Sequence, residues 1–536
     1  MTRIAESWWR NAVVYQIYPR SFADGNGDGI GDLRGVIARL DYLRWLAVDA
    51  LWLTPISDSP NDDWGYDVAD YCSVHPELGT MDDLDELVAQ ATSRGIRIML
   101  DLVPNHTSAR HPWFQAAHGS REAPRRDWYV WADPGPDGGP PNNWLSLFGG
   151  PAWTLDSCSG QYFLHSFLAS QPDLNWWNEG VRAAFDEIVR FWLGRGIAGF
   201  RIDVAAGMIK DRSLRNNPPA DNADHAIVRA LGQRQEFNMD RPEVHDVLRR
   251  WRRIADGYDG DRVLLGEAYV LDAERLATYY GNGRDELHMA FNFLLLHSAL
   301  QAGPIEEVIR AGTWLDRRDA WPAWAASNHD AGRMATRWAR GNSDLARCAL
   351  MLLLTLRGTP VLYYGDELGL TEIDVAPHAA LDGGRSADQR PGRDRARTPM
   401  PWSDGPNAGF TNPRTRPWLP LGDRAGVDLA TQAADLRSML HLARDLIALR
   451  AREPDLRHGA MTVLDSPRGV LALERGAGHR VYLNLSDEPQ VVELPRGRIA
   501  MDTMRDLDGK DTAARYDLSA QRGLVVSLRG GVDRSP

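Results

Sequence analysis

An arginine and an aspartate lie two residues apart in the apolar segment GFRIDVA, residues 199–205. Apolar runs of this length are typical of buried strands in a parallel sheet, and alternate side chains of a strand project to the same face. We therefore expect Arg201 and Asp203 to lie together, with the guanidinium lowering the pKa of the carboxyl group. An ionised carboxylate held in this way could act as a nucleophile, whereas a structural ion pair is the alternative that these two residues leave open.

Two further carboxyl groups follow apolar runs later in the chain. Glu267 lies in VLLGEAYV and Asp330 ends SNHD, and both lie near the C-terminal ends of predicted strands. A pair of carboxyl groups about 5 to 5.5 Å apart, one ionised and one protonated, hydrolyses glycosides with retention of configuration. Because Glu267 has no cation beside it in its strand, we expect it to be the acid and Asp203 to be the nucleophile. Asp330, His106 and His329 are expected to bind sugar hydroxyl groups.

Eight apolar segments with the composition of strands alternate with helical patterns along the chain. They are residues 13–22, 50–56, 96–105, 199–205, 263–270, 288–293, 321–330 and 359–370. Repeated strand and helix units predict a parallel α/β fold, and eight of them predict a (β/α)8 TIM barrel. The three carboxyl groups lie at the C-terminal ends of these strands, where barrel enzymes carry their active sites.

Three other parts of the chain break the alternation of strands and helices. Residues 105–175 are rich in Pro, Gly, Asn and Trp and too long for a simple loop, so they predict a small inserted domain after the third strand. Residues 371–423 form a second, irregular insertion. Short alternating runs in residues 454–536 predict a C-terminal all-β domain, a β-sandwich. The predicted barrel therefore comprises residues 1–104 and 176–453.

A loop of glycines and acidic residues follows the first predicted strand. Oxygen-bearing side chains alternate with glycine in DGNGDGIGD, residues 24–32, and such a set of oxygens suits a hard cation. The candidate ligands are Asp24, Asn26, Asp28 and Asp32 through their side chains and Ile30 through its carbonyl oxygen. We expect a structural calcium ion here, with magnesium as the second choice and a polar turn without metal as the alternative.

The composition limits the classes of partner. The 536 residues carry a formal net charge of −12, which argues against nucleic acid or an anionic membrane. The three cysteines have neither disulfide nor zinc-site spacing, and the first residues lack the apolar core of a signal peptide. We therefore expect a cytoplasmic enzyme with a small-molecule substrate, and the sequence leaves its oligomeric state open.

Four motifs, in this order, resemble those of the α-amylase superfamily of glycoside hydrolases. They are DLVPNH (101–106), GFRIDVA (199–205), GEAYV (266–270) and SNHD (327–330). The segments YQIYPRSFADGNGDGIGDL, GYDVADY, PPNNWLSLFGGPAW, QPDLNW and RTPMPW are similar to the oligo-1,6-glucosidase and α-glucosidase branch in particular. The resemblance covers most of the chain, and its calcium loop is similar to residues 24–32.

The resemblance implies a role for each matched residue. Asp203 would be the nucleophile, Glu267 the acid/base and Asp330 the stabiliser of the transition state. The subsite for the transferred glucosyl ring would be lined by Arg201, His106, His329, Tyr66 and Asp67. In exo-acting relatives the aspartate of GYD and an arginine near RTPM also bind the terminal hydroxyl groups and close the pocket. By this resemblance these residues are Asp67 and Arg397, with Arg393 as the second choice.

The resemblance also implies an activity. It is that of a retaining, exo-acting α-glucosidase that releases glucose from short α-glucosides such as maltose and malto-oligosaccharides. Val204 is typical of relatives that cleave α-1,6 bonds, whereas the next residues, AAGM (205–208), are more similar to maltose-cleaving α-glucosidases. An oligo-1,6-glucosidase (isomaltase) is therefore one alternative. A transglucosylase or an isomerase, such as a trehalose synthase or a sucrose isomerase, is another, because the same residues serve when a sugar accepts the glucosyl group.

Overall fold

The computed structural model describes residues 7–282, 284–312, 315, 320–382, 392–422, 424 and 426–528. The ends of the predicted first and last domains, residues 1–6 and 529–536, and residues 383–391 of the second insertion lie outside these ranges. Within these ranges, every helix is too short or too polar to cross a lipid bilayer. The cytoplasmic location stays a prediction.

Eight parallel strands form a closed barrel. They are Val14–Ile17, Ala50–Leu53, Arg97–Leu102, Gly199–Ile202, Val263–Gly266, Met289–Phe291, Pro322–Ala325 and Thr359–Tyr363. Each strand pairs with its neighbours along the chain, and the last pairs with the first, where Val361 lies opposite Val14. Almost every residue of these strands is buried, as expected for a sheet whose two faces are both covered. The predicted TIM barrel is confirmed.

Helices connect the strands, and some begin at the signals that the sequence carries. The helix Met81–Ser93 has a capping box, in which the Thr80 hydroxyl accepts a hydrogen bond from the Asp83 amide and the Asp83 carboxylate accepts one from the Thr80 amide. The other α-helices of the described chain are Trp8–Asn11, Pro19–Phe22, Leu33–Ala38, Leu40–Leu46, Pro112–Gln115, Glu179–Gly194, Ala226–Leu231, Val244–Asp256, Ala273–Thr278, Phe293–His297, Ala302–Ala311, Met334–Arg337, Ser343–Thr355, Leu429–Ala434, Met439–Arg452 and Pro454–Arg457. Short 3₁₀ helices are Arg126–Trp128, Asp366–Leu368, Pro377–Ala379, Arg393–Ala396 and Pro406–Gly409.

The segment between the third and fourth barrel strands contains a small antiparallel sheet. Its strands are Trp131–Ala132, Gln161–Leu164 and Trp153–Asp156, in that spatial order. The Leu174 amide donates to the carbonyl of Asn105 at 2.9 Å, so the end of this segment returns to the loop that follows the third barrel strand. The boundaries predicted for the inserted domain stay a prediction.

Two antiparallel sheets follow the barrel. The five-stranded sheet has the order Met461–Leu464, Val470–Arg475, His479–Asn484, Arg522–Ser527 and Arg498–Asp502, and the second sheet pairs Gln490–Glu493 with Arg515–Leu518. One apolar cluster joins residues of both sheets, among them Val470, Leu524, Val492 and Leu518. On the barrel side, the buried Arg450 donates to the carbonyl groups of Leu354 and Leu356 at the end of the helix Ser343–Thr355.

Candidate active site

One buried guanidinium lies in the mouth of the barrel and contacts three carboxylates. Arg201 Nη1 lies 2.8 Å from Asp101 Oδ1 and 2.6 Å from Asp203 Oδ1, and Nη2 lies 2.8 Å from Glu267 Oε1. Asp101 and Arg201 are direct partners in the register of the third and fourth strands, and Asp203 and Glu267 each follow a strand end by one residue. The structure therefore brings the predicted nucleophile and the predicted acid together on one cation.

The electrostatic environment of this group differs from the one that the sequence predicts. Burial raises the pKa of Asp203 well above its usual range; Arg201 opposes the rise, and the carboxylates of Glu267 and Asp101 reinforce it. The predicted lowering of this pKa is therefore wrong, because burial and the neighbouring carboxylates outweigh the one guanidinium. The expectation that Glu267 has no adjacent cation is also wrong, because Arg201 reaches it from the neighbouring strand. At Asp203, burial and the neighbouring carboxylates therefore outweigh the guanidinium of Arg201.

Asp330 lies in a different environment, with three cationic or hydrogen-bonding partners. Its carboxylate lies 3.0 Å from His329 Nε2 and 3.1 Å from both Arg393 Nη1 and Arg397 Nη2. Desolvation opposes ionisation, but His329 and the two guanidinium groups outweigh it and hold the pKa of Asp330 well below its usual range. Because 39% of this side chain is exposed, an ionised carboxylate is accessible at the mouth of the barrel.

Tyr66 and His329 form an aromatic wall beside Asp330. Their rings are stacked, with centroids 5.2 Å apart and planes 1° from parallel, and the Tyr66 hydroxyl lies 2.6 Å from His329 Nε2. The same hydroxyl donates to Asp101 Oδ2 at 2.9 Å, which connects this wall to the carboxylates around Arg201. Arg397 Nε donates to the His329 carbonyl at 3.0 Å and so holds the backbone beside Asp330.

His106 lies between Tyr66 and the inserted segment. Its Nε2 lies 3.0 Å from the Tyr66 carbonyl oxygen and 3.2 Å from Gln171 Nε2. Gln171 in turn donates to Asp63 Oδ2 at 3.0 Å. Burial lowers the pKa of His106, so the ring is neutral at neutral pH. His106 is thus adjacent to Tyr66, as a subsite shared by the two residues requires.

Asp67 is buried and bound within its own loop. Its carboxylate accepts hydrogen bonds from the Ser59 hydroxyl at 2.7 Å and from the amides of Asp62 and Asp63 at 2.9 and 3.0 Å. Burial raises the pKa of Asp67 to about 6. These contacts fold the loop after the second strand, and among the ion pairs of the described residues none joins Asp67 to Arg397. That Asp67 and Arg397 bind the terminal hydroxyl groups of a substrate stays a prediction.

Asp63 and Arg393 form an ion pair beside Asp330. Arg393 Nη2 lies 2.5 Å from Asp63 Oδ1 and 2.6 Å from Asp382 Oδ1, while Nη1 reaches Asp330. The Arg393 guanidinium also lies over the Phe148 ring, 5.1 Å from its centroid, so a residue of the inserted segment covers it. The second choice for the arginine, Arg393, thus lies against the carboxylate of Asp330 beside Arg397.

The residue after Asp203 has an unusual backbone conformation. Val204 has a φ of 43°, which is uncommon for a β-branched residue. In this conformation its amide donates to Glu267 Oε2 at 3.0 Å, and the next amide, that of Ala205, donates to the Glu267 carbonyl oxygen at 3.0 Å. The turn after the predicted nucleophile therefore holds the predicted acid.

The loop of residues 24–32 is folded by hydrogen bonds within itself. Asp24 accepts from the amides of Asn26 and Gly29, Asp28 accepts from the amide of Ile30, and Asp32 accepts from the amides of Gly25, Asn26 and Gly35. These bonds are those of a polar turn, and a carboxylate oxygen that accepts one of them keeps a second lone pair. In the part of the chain that the structure describes, no cluster of three or more His, Cys, Asp or Glu side chains is arranged to hold a metal ion. The calcium ion stays a prediction.

Sequence reasoning missed Asp101, Asp63 and Gln171. Asp101 carried a signal, because it lies in DLVPNH and is the register partner of Arg201. Asp63 lies only three residues before Tyr66, but its partner Arg393 is 330 residues further on, so no local pattern joins them. Gln171 lies in an irregular segment whose path the sequence does not predict.

Comparison with known proteins adds the family. A family model described as the catalytic domain of α-amylase matches residues 16–459. The chain is 41% identical over 514 residues to a probable α-glucosidase of Rhizobium meliloti, covering 92% of each chain. It is 36% identical over 482 residues to an oligo-1,6-glucosidase of Heyndrickxia coagulans, covering 83% of this chain and 85% of that relative.

Two solved structures are similar over nearly the whole chain. An α-glucosyl transfer enzyme, XgtA, shares 40% identity with a TM-score of 0.88, covering 98% of this chain and all of the other. The trehalulose synthase MutB of Pseudomonas mesoacidophila MX-45 shares 32% identity with a TM-score of 0.89, over 98% of this chain and all of the other. With three strand-end acids around the mouth of a (β/α)8 barrel and a family match over residues 16–459, the chain belongs to the α-amylase family of glycoside hydrolases.

Proposed function

We propose that the chain is a retaining α-glucosidase that releases glucose from the non-reducing end of short α-glucosides such as maltose and malto-oligosaccharides. The observation that carries this proposal is the contact of Asp203 and Glu267 with adjoining nitrogens of one buried guanidinium. Two carboxyl groups held on one guanidinium lie close together, as retaining hydrolysis requires: its carboxyl groups lie about 5 to 5.5 Å apart. An inverting enzyme needs a wider gap that admits water between them.

In the first step Glu267 gives its proton to the glycosidic oxygen while Asp203 attacks the anomeric carbon. The bond between that carbon and the glycosidic oxygen breaks, its electron pair stays on the oxygen, and the leaving sugar departs with the proton. A β-glucosyl ester on Asp203 results. Arg201, which contacts both carboxyl groups, stabilises whichever of the two is ionised.

In the second step Glu267 acts as the base. It accepts a proton from water as the water oxygen attacks the anomeric carbon, and the ester bond to Asp203 breaks. Glucose leaves with the original configuration, and both carboxyl groups return to their first states. The ionised Asp330, between His329 and the two arginines, would bind ring hydroxyl groups and stabilise the positive charge that develops on the sugar.

The contacts of Arg393 support removal of single terminal glucose units. Arg393 links Asp63 to Asp330, and Phe148 covers the guanidinium, so charged side chains occupy the side of the pocket beside Asp330. Side chains in this position would block the passage of a longer sugar chain, which favours a closed pocket over an open groove. Asp63, Arg393 and Asp330 would bind the hydroxyl groups at the non-reducing end of the substrate.

A second candidate is a glucosyl transferase or sugar isomerase with the same first step. The similarity to XgtA, an α-glucosyl transfer enzyme, and to the trehalulose synthase MutB favours it. The similarity to a probable α-glucosidase and to oligo-1,6-glucosidases favours hydrolysis. The first step is common to both, so the identity of the molecule that attacks the ester distinguishes them.

The first prediction concerns products. Purified protein is incubated separately with maltose, isomaltose, sucrose and trehalose, and the products are resolved by chromatography over time. We expect free glucose from maltose at a rate well above that from isomaltose. A methyl group beside the nucleophile, as on Val204, changes selectivity by only about 1 to 3 kcal/mol, so some cleavage of isomaltose is compatible with the proposal. New disaccharides or longer oligosaccharides with little free glucose would contradict hydrolysis and establish the second candidate.

The second prediction tests the residues at the end of the pocket. Arg393→Lys keeps a positive charge but loses the planar pair of donors that reaches Asp63 and Asp330. Loss of one hydrogen bond to a charged group costs about 1.5 to 3 kcal/mol, so we expect kcat/KM for maltose to fall about 10- to 100-fold. The matched control is Arg395→Lys, because Arg395 pairs with Asp374, whose side chain is 94% exposed. Equal effects of the two substitutions would contradict the proposed role of Arg393.

We further propose that residues 24–32 bind a structural calcium ion. The support is a donor set made only of oxygen atoms, which calcium prefers. Asp24, Asn26, Asp28 and Asp32 would supply side-chain oxygens and Ile30 its carbonyl oxygen, and the ion would stabilise the turn without entering the reaction.

The third prediction follows from this calcium site. A chelator should lower the melting temperature of the enzyme and added calcium should restore it, since an ion at 100 times its dissociation constant stabilises a fold by about 2.7 kcal/mol. Asp28→Asn should reduce the response to both reagents. An unchanged melting temperature, together with protein that contains no bound metal by elemental analysis, would establish the polar turn instead.

A further inference from the structure

The chain contains 59 arginines but only two lysines, Lys210 and Lys510. Lys510 is exposed, whereas Lys210 is only 3% exposed. A buried lysine is rare unless its charge is paired. Because almost every other basic residue is arginine, the buried Lys210 indicates a site that requires an ammonium group and not a guanidinium.

The contacts of Lys210 show what the ammonium group does. Its Nζ lies 2.9 Å from Asp173 Oδ2 and donates to Asn105 Oδ1 at 2.9 Å and to the Gly207 carbonyl. Asp173 comes from the end of the inserted segment and Asn105 from the loop after the third strand. An ammonium group directs three donors tetrahedrally, whereas a guanidinium directs its donors in one plane. Lys210 thus ties three separate parts of the chain together at one point.

The carbonyl that Lys210 holds belongs to the turn after Asp203. The Gly207 amide donates to the Val204 carbonyl at 2.7 Å, which closes the turn. A Cβ at residue 207 would lie 2.6 Å from Val204 Cγ1 and 3.1 Å from Asn105 Oδ1, so the turn is packed directly against both residues. Val204, with its φ of 43°, donates its amide to Glu267 Oε2 at 3.0 Å. The position of the Glu267 carboxyl group therefore depends on the turn, and the turn is held by Lys210.

We propose that Lys210 is a positioning residue for Glu267: its ammonium group, paired with Asp173, holds the turn of residues 204–207 so that the Val204 amide fixes the carboxyl group that donates the proton. This inference rests on the proposed role of Glu267 as acid/base. Lys210 itself does not contact the substrate, and it acts through the backbone of Gly207 and Val204. It also couples the inserted segment to the catalytic turn, because Asp173 supplies the counter-charge.

The leaving group of the substrate distinguishes this role from a merely structural one. A phenol of low pKa departs from an aryl α-glucoside with little help from an acid, whereas a phenol of high pKa needs proton transfer. Misplacing Glu267 should therefore slow substrates with poor leaving groups most. A general loss of stability would slow all substrates by the same factor. An aryl α-glucoside reports on the first step whatever the natural leaving sugar is. The comparison therefore stays valid even if maltose is not the natural substrate.

The fourth prediction uses three variants and a series of aryl α-glucosides. Lys210→Met removes the positive charge and keeps a side chain of similar length. The double variant Lys210→Met with Asp173→Asn also removes the negative charge of the carboxylate that has lost its partner. Lys510→Met is the matched control. Melting temperatures and the kinetics under single-turnover conditions are measured for each. General acid catalysis contributes about 10²- to 10⁴-fold, so we expect Lys210→Met to lower the rate of glucosyl transfer to the enzyme by about 10- to 100-fold for the poorest leaving groups. For the best leaving groups the loss should be under about threefold, with little change in substrate affinity.

The double variant keeps the test decisive if the single variant unfolds. We expect the melting temperature of the double variant to return most of the way to that of the wild-type enzyme. The rate of glucosyl transfer should still fall steeply as the pKa of the leaving group rises. Lys510→Met should match the wild-type enzyme in every measurement. A loss of equal size for all leaving groups, or a return of the rate together with the melting temperature in the double variant, would overturn the proposal. Failure of the wild-type enzyme to hydrolyse maltose would contradict the proposed function and leave this inference intact.

Discussion

The active site depends on one buried positive charge shared by three carboxyl groups. Arg201 contacts Asp101, Asp203 and Glu267, and removing the guanidinium would leave buried carboxylates without a counter-charge, which is strongly unfavourable. The shortage of positive charge has a chemical consequence. Burial raises the pKa of Asp203, Arg201 opposes the rise and the neighbouring carboxylates reinforce it, so Arg201 is the group that favours the ionised form which the proposed attack on the sugar requires.

The barrel makes this sharing possible through the register of its strands. Arg201 lies beside Asp101 on the neighbouring strand, while Asp203 and Glu267 follow the ends of adjacent strands, so short side chains suffice to reach one point. A second group of charges is kept separate from the first. Asp330 has its own partners in His329 and two arginines, which hold its pKa well below its usual range and keep it ionised. The division of the acids into these two environments assigns different tasks to chemically similar side chains.

Much of the fold could be predicted from the sequence, because each barrel strand is a short apolar run and those runs alternate with helical patterns. The three strand-end acids could be predicted for the same reason: Asp203, Glu267 and Asp330 are polar residues at the ends of apolar segments. Their electrostatic environment could not, since Glu267 receives its cation from the next strand, and the sequence of its own strand contains none. The pairing of Asp63 with Arg393 could not be predicted either, because it depends on how two distant loops fold. Local patterns thus predict elements and their ends, while contacts between distant loops require the structure.

The central claim is that Asp203 forms a covalent bond with the sugar, and trapping that bond tests it most directly. A 5-fluoro-α-glucosyl fluoride has a good leaving group, and its ring fluorine slows both steps, so the ester accumulates when its hydrolysis is slower than its formation. Peptide mass spectrometry after digestion then locates the sugar. We predict one fluoroglucosyl group per enzyme, on the peptide that contains Asp203, and none on the Asp203→Asn variant. A label on Glu267 or Asp330, or turnover of a natural substrate with inversion of configuration, would contradict the account.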